Sequence, residues 1–283
     1  MRRSSLLPLL AALLVASPVL VGAAYAAAGA LGVAGVGATG VPDADRVARV
    51  LGDAITWRSL AWTVRTALAA TLLAGVLAVA VAVAFRGARG ADRVARALAV
   101  VPLPLPQLVA AACALLVLGQ SGLLARVAHA LGAIDAPAGM PVLVQDGWGV
   151  ALIAALAWKE APFLALVAGA VLDARGAAAE EAARTLGASP WQTFRLVTLP
   201  LLGRGMLPAM VADFAFVVGS YEAAALLGPS DPLPLQSLIR ERYEDLDLAR
   251  RADAYVLTLL ALALAGLVVA AHEWAATRAR RLG

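Results

Sequence analysis

Six runs of the chain are apolar with hardly a polar interruption, approximately Leu6 to Ala28, Leu60 to Phe85, Leu98 to Leu118, Val150 to Leu172, Met206 to Leu227 and Ala254 to Ala271. A helix needs about 20 such residues to cross the hydrocarbon of a bilayer, so the pattern predicts six transmembrane helices and an all-α fold. The sixth run is short but extends through His272 to Trp274, an aromatic suited to the membrane interface. Most polar of the ordered-looking connectors is EEAARTLGASPWQTFRLVTLP, residues 180 to 200, between the fourth and fifth runs.

Composition agrees with the pattern. With 62% hydrophobic residues, 15% charged residues and a mean hydropathy of +0.83, the chain is too apolar for an ordinary soluble domain. Its net charge of +4 comes from arginines scattered between the apolar runs, without the dense patch and interleaved aromatics of a nucleic-acid surface, so no nucleic-acid partner is expected. A single cysteine, Cys113, excludes an internal disulfide framework and a thiolate metal cluster within one chain.

The arginines instead report topology. Of the 23 Lys and Arg residues, thirteen fall in segments 1–5, 86–97, 173–205 and the C-terminus, and eight in the other three loops, where carboxylates offset them. The positive-inside bias therefore places both termini and the 173–205 loop in the cytoplasm. MRRSS followed by an apolar run and the small residues of AAYA also reads as a cleavable secretory signal. The uncleaved anchor is preferred, because cleavage would leave five spans and break the alternation of charge.

Residues 180 to 200 carry local signals for two short helices joined by a tight turn. Glu180 and Glu181 are spaced to pair with Arg184, and Gly187 stands where a helix ends in a left-handed residue. Ser189, Pro190 and Gln192 then supply an N-cap, a proline at the first helical position and the third member of a capping box. Trp191 and Phe194 fall on one face of the second helix, and Leu199 and Pro200 end the unit before the fifth span. An amphipathic helix pair on the cytoplasmic face has a shape suited to docking.

Glu181, Ala182 and Ala183, then Gly187, Val197, Leu199 and Pro200 match every spaced position of the EAA loop of the membrane permeases of binding-protein-dependent ABC importers, with Val197 where isoleucine is commonest. The resemblance covers roughly residues 60 to 275. SLAWTVRTALAATLLAGVLAVAVAVAF and VPLPLPQLVAAA are similar to the opening of the family's core and its proline-broken segment, and WKEAPF and GSYEAAALLGP resemble the branch serving polyamine, thiamine and iron importers. The resemblance implies a type I importer permease: residues 1–58 an N-terminal span and periplasmic loop, 59–275 a five-helix core with the coupling loop at 173–205, and 276–283 a cytoplasmic tail. It also implies partners: a cytoplasmic ATPase gripped by the EAA loop, a second permease subunit, identical or paralogous, and a periplasmic or lipid-anchored solute-binding protein. The location it implies is the bacterial inner membrane.

No catalytic, cofactor or metal site is expected. A P-loop needs a lysine after glycine, and the only lysine, Lys159, follows Trp158 in mid-span. His129 and His272 lie far apart, and neither HExxH nor GxSxG occurs. Intramembrane charges are the remaining signal, since each is costly unless paired or facing water. Lys159 and Glu160, as sequence neighbours, are expected to point to different faces and to need partners in other spans, with Asp213, Glu222 and Arg65 as candidates. These groups either line the translocation pathway or pair between helices, and Glu222 has the further option of reaching the interface. Pro162 and prolines 102, 104 and 106 are expected to kink their helices. An ion-coupled secondary transporter is the alternative reading; it would explain the buried charges but not the EAA loop, and the internal repeat usual in such proteins is not found.

Overall fold

The computed structural model describes residues 6–38, 40–85 and 99–282. Among these residues the structure is helical, with no strand. Six segments are long and apolar enough to cross a membrane: Pro8–Ala30, Ala54–Ala84, Gln107–Ala130, Val150–Thr185, Pro190–Val218 and Leu248–Arg278. The 86–97 loop and residues 1–5, to which the sequence assigns six inside arginines, lie outside the described residues. The chain divides into two compact units, Met1–Ala61 with Leu235–Leu267, and Trp62–Pro234 with Val268–Gly283.

In the first unit, α1 (Leu6–Ala30) is followed by a glycine-rich turn and α2 (Ala44–Gly52). Asp43 caps α2 by accepting from the Arg46 backbone N–H at 3.1 Å. The buried Arg46 guanidinium then reaches back to the Gly29 and Ala30 carbonyls at 3.3 and 3.5 Å, satisfying acceptors that the end of α1 leaves without helical partners. Tyr255 packs edge-on against Tyr25 at 5.9 Å between ring centroids, and its hydroxyl accepts from the Val36 N–H at 3.2 Å. A side chain at Gly29 would come within 2.6 Å of that ring, so the close approach requires glycine.

The second unit is built on α3 (Ala54–Ala84) from Trp62 onward, α4 (Gln107–Leu118), α5 (Leu123–Ala130), α6 (Val150–Val171), α7 (Ala177–Thr185), α8 (Pro190–Thr193), α9 (Leu199–Val218) and α10 (Tyr221–Leu227). Its core joins Ala74 and Ala78 of α3 to Ala157, Ala161, Leu164 and Ala168 of α6 and to Leu202 and Met206 of α9. Small residues at these contacts let backbones approach closely, which is how helices associate where lipid removes the hydrophobic drive. α11 (Leu235–Glu244) belongs to the first unit, and α12 (Leu248–Leu282) is shared, its residues to Leu267 in the first unit and those from Val268 in the second.

Two spans differ from the sequence expectation. Prolines 102, 104 and 106 do not kink the third helix: they lie in the turns before it, and Pro106 is the N-cap of α4. Three prolines at alternate positions remove the backbone donors a helix needs, so the helix begins only after the last of them. The span is also interrupted between α4 and α5 around Gly119 and Gly122. The fifth span does not run to Leu227. It begins at Pro190 and stops at Val218, where Gly219 and extended Ser220 break it before α10. The apolar count could not see this break, because α10 continues the apolar run with Ala223 to Leu227.

Candidate functional site

The connector between the fourth and fifth spans is a helical hairpin rather than two separate short helices. α6 continues through a π-helical segment, Leu172–Gly176, into α7, giving one helical stretch from Val150 to Thr185; α8 continues through a second, Phe194–Thr198, into α9, from Pro190 to Val218. Leu199 and Pro200 thus lie inside a continuous helix and do not end the unit. The second π segment has a local cause. Pro200 has no N–H to donate, and the Leu199 N–H bonds to Phe194 O five residues back, so the ladder widens where the proline would interrupt it.

The hairpin turn follows its sequence signals closely. Gly187 has φ +85°, its N–H donates to Arg184 O at 2.9 Å, and the Ala188 N–H donates to Ala183 O at 3.0 Å. These are the paired bonds of a Schellman motif, which requires a left-handed residue at that position. On the far side Ser189 and Gln192 form the reciprocal capping box, with the Gln192 N–H donating to Ser189 Oγ at 3.3 Å and the Ser189 N–H to Gln192 Oε1 at 2.8 Å. Both helix ends at the elbow are satisfied locally, so the turn keeps its angle without help from a partner.

A contact absent from the sequence reading ties the two arms. Thr198 Oγ1 donates to Glu180 Oε1 at 2.6 Å, with both residues buried, and Glu180 Oε2 lies 3.7 Å from the Arg184 guanidinium. Glu180 is therefore the structural glutamate of the pair, whereas Glu181 and Ala182 are exposed, Ala183 and Val197 half-buried, and Leu199 and Pro200 exposed. Around the elbow, Leu186, Trp191 and Leu196 are 89%, 65% and 69% exposed. Trp191 stacks at a tilt on Phe194, 5.8 Å between ring centroids. An exposed apolar cluster on a rigid hairpin is a candidate docking surface.

The intramembrane charges arrange themselves differently from the sequence expectation. Lys159 and Glu160 pair with each other, Nζ to Oε1 at 3.7 Å. Their Cβ atoms do diverge, but the four-carbon lysine stem is long enough to curl back to its neighbour. Asp213, on α9, accepts from Thr71 Oγ1 of α3 at 2.9 Å, and its carboxyl group faces that of Glu160 on α6. Three spans thus meet at one buried polar cluster. Glu222 is outside it, exposed in the first turn of α10, where the helix dipole favours an acidic residue. Arg65 is also apart: its guanidinium donates to the Gly147 and Trp148 carbonyls at 2.8 and 3.1 Å and sits over the Trp62 and Trp148 rings. Thr71 and Thr198 are the polar partners that sequence reasoning missed; a threonine in an apolar run or beside a proline carries no signal of which distant carboxylate it serves.

An all-α chain with six candidate spans and a capped hairpin between the fourth and fifth has the architecture of a multi-pass membrane protein. Residues 74–281 match the family described as binding-protein-dependent transport system inner membrane component, and the chain belongs to that family. It is the permease subunit of an ABC importer. The chain is 31% identical over 217 residues to the molybdenum transport system permease protein ModB of Mycobacterium tuberculosis, covering 75% of this chain and 76% of that protein. It is 37% identical over 107 residues to the sulfate transport system permease protein CysW of Synechocystis, covering 36% of this chain and 38% of that protein. In fold it is similar to a chain in the crystal structure of a bacterial alginate ABC transporter with an alginate-bound periplasmic protein, with a TM-score of 0.70 at 18% identity over 93% of this chain and 89% of that one.

Proposed function

We propose that the chain forms half of the translocation pathway of an importer for a tetrahedral oxyanion of the molybdate or sulfate type, and that the 177–200 hairpin couples this pathway to a separate ATPase subunit. The observation that carries the coupling role is the elbow, closed by its own Schellman and capping-box bonds and presenting Leu186, Trp191 and Leu196 to solvent. A hairpin continuous with two membrane helices transmits a push at its tip as a rigid-body movement of those helices. The oxyanion assignment is supported by the molybdenum and sulfate systems for which the similar permeases are named. Glu181, Ala182, Ala183, Gly187, Val197, Leu199 and Pro200 form the coupling set. Lys159, Glu160 and Asp213 hold helices together and do not contact the solute. The complete importer needs a second permease, identical or paralogous, and a solute-binding protein outside; the ion-coupled alternative gains nothing from the family match.

Two measurements test this reading. In membrane vesicles containing the permease, its ATPase and its binding protein, labelled molybdate or sulfate is expected to accumulate with ATP, whereas spermidine and thiamine are not; ATP-driven uptake of a cation with no oxyanion uptake would overturn the substrate class. The orientation, with both termini and the hairpin in the cytoplasm, is tested by cysteine labelling in a Cys113→Ala background. Leu246, 93% exposed before α12, and Leu186, 89% exposed at the elbow, are the sites to use. A membrane-impermeant thiol reagent is expected to label Leu246→Cys in intact cells and Leu186→Cys only after permeabilisation. The reverse pattern would invert the topology.

A further inference from the structure

A cavity of about 810 Å³ opens between the fourth and fifth spans, lined by α6, α9 and the hairpin arms between them. Its walls are apolar, including Val167, Val171, Pro200 and Leu201, and its charged lining residues are Arg175 and Arg204. Both arginines are exposed, and among the described residues neither guanidinium has an ion-pair partner. Their depth is informative. The apolar run of the fourth span, about 34 Å long at 1.5 Å per residue, ends at Leu172 just before Arg175, and that of the fifth begins at Met206 just after Arg204. Both cations therefore stand at the boundary between hydrocarbon and head groups, with Val167, Ala170 and Val171 of the cavity wall on the membrane side of them and Pro200 and Leu201 on the cytoplasmic side.

We propose that this groove binds an anionic phospholipid, with an acyl chain along Val167, Ala170 and Val171 and the phosphate held by Arg175 and Arg204. Two unpaired guanidinium groups present forked donors that match phosphate oxygens, and basic pockets between transmembrane helices at head-group depth are sites of anionic lipid recognition. A free oxyanion would satisfy the arginines but not the walls, since a hydrated dianion gains nothing from a cavity of valine, leucine and proline. Because the groove flanks both π-helical segments, a bound lipid would brace the hairpin at the level where it leaves the membrane.

The test uses the assembled permease–ATPase complex in nanodiscs doped with a photoreactive phosphatidylglycerol or, separately, a photoreactive phosphatidylcholine. Phosphatidylglycerol is expected to label peptides containing Val167, Ala170 or Val171, and phosphatidylcholine is not. The Arg175→Gln/Arg204→Gln variant is expected to lose roughly thirtyfold of that labelling, the worth of two interfacial arginines, while Arg175→Lys/Arg204→Lys keeps most of it. Excess sodium sulfate at constant ionic strength is expected to leave it in place. Equal labelling by both lipids, labelling indifferent to the Gln substitutions, or displacement by sulfate would overturn the proposal. So would labelling of the permease alone that vanishes in the complex, which would assign the groove to a protein subunit. None of these readouts depends on which solute is transported, so the proposal and the oxyanion assignment stand or fall separately.

Discussion

Uptake through a Gly187→Val permease is expected to fall more than tenfold while the protein still inserts at near-normal abundance. Space is not the reason, because a Cβ at Gly187 would meet nothing within 4 Å. The cause is the backbone. At φ +85° an L-residue bears roughly 1–2 kcal/mol of strain, and a β-branched one bears more. Relieving that strain means abandoning the left-handed turn, and with it the bonds from Gly187 and Ala188 to the Arg184 and Ala183 carbonyls that fix the angle between the arms. The spans lie outside this turn and keep their contacts. Gly187→Asn tests the argument from the other side, since asparagine tolerates the left-handed region and should restore most of the uptake. Uptake, membrane abundance and ATPase copurification should be measured together. A valine variant with normal uptake and normal ATPase association would show that the hairpin is only a connector.

Why the elbow was readable from sequence while the arms were not follows from the range of the interactions. Gly187, Ser189 and Gln192 are bound within a few residues of themselves, so their spacing carries their geometry. The Glu180–Thr198 bond closes across the turn between positions that sequence spacing does not pair, so spacing offered Glu180, like Glu181, only Arg184 as a partner, and it is Glu180 that lies beside Arg184. The spans show the same division. Apolar length located six of them, but where a helix stops inside an apolar stretch depends on backbone groups, and the Gly219–Ser220 break and the late start after Pro106 came from residues whose effect is conformational rather than hydrophobic. The π-helical segments had one usable cue, Pro200, whose missing N–H forces the ladder to adjust; Leu172–Gly176 offers no comparable proline.

Removing the Lys159 ammonium should be among the most damaging single changes in the membrane region, because it strands a carboxylate that has no other cation beside it among the described residues. Glu160 is 7% exposed and Asp213 3%, their carboxyl groups face each other, and Glu160 Oε1 and Asp213 Oδ1 have no hydrogen-bond donor. Lys159 supplies the neighbouring positive charge at 3.7 Å. Breaking a buried pair by deleting one partner typically costs about 3–5 kcal/mol, whereas replacing both by neutral groups of similar shape can be close to neutral. Lys159→Met is therefore expected to lower membrane abundance and thermal stability strongly, Lys159→Arg only slightly, and Lys159→Met/Glu160→Gln should recover most of the loss while leaving the Asp213–Thr71 bond intact. The pattern also tests the assignment of these charges to helix packing rather than to the pathway. If they only join α3, α6 and α9, the neutral double variant transports once it is stably made; if they line the pathway, it is stable but does not transport. Measuring abundance and uptake in the same membranes decides between them, and a Lys159→Met protein as stable as the wild type would mean that the ammonium reaches water and the pair holds nothing.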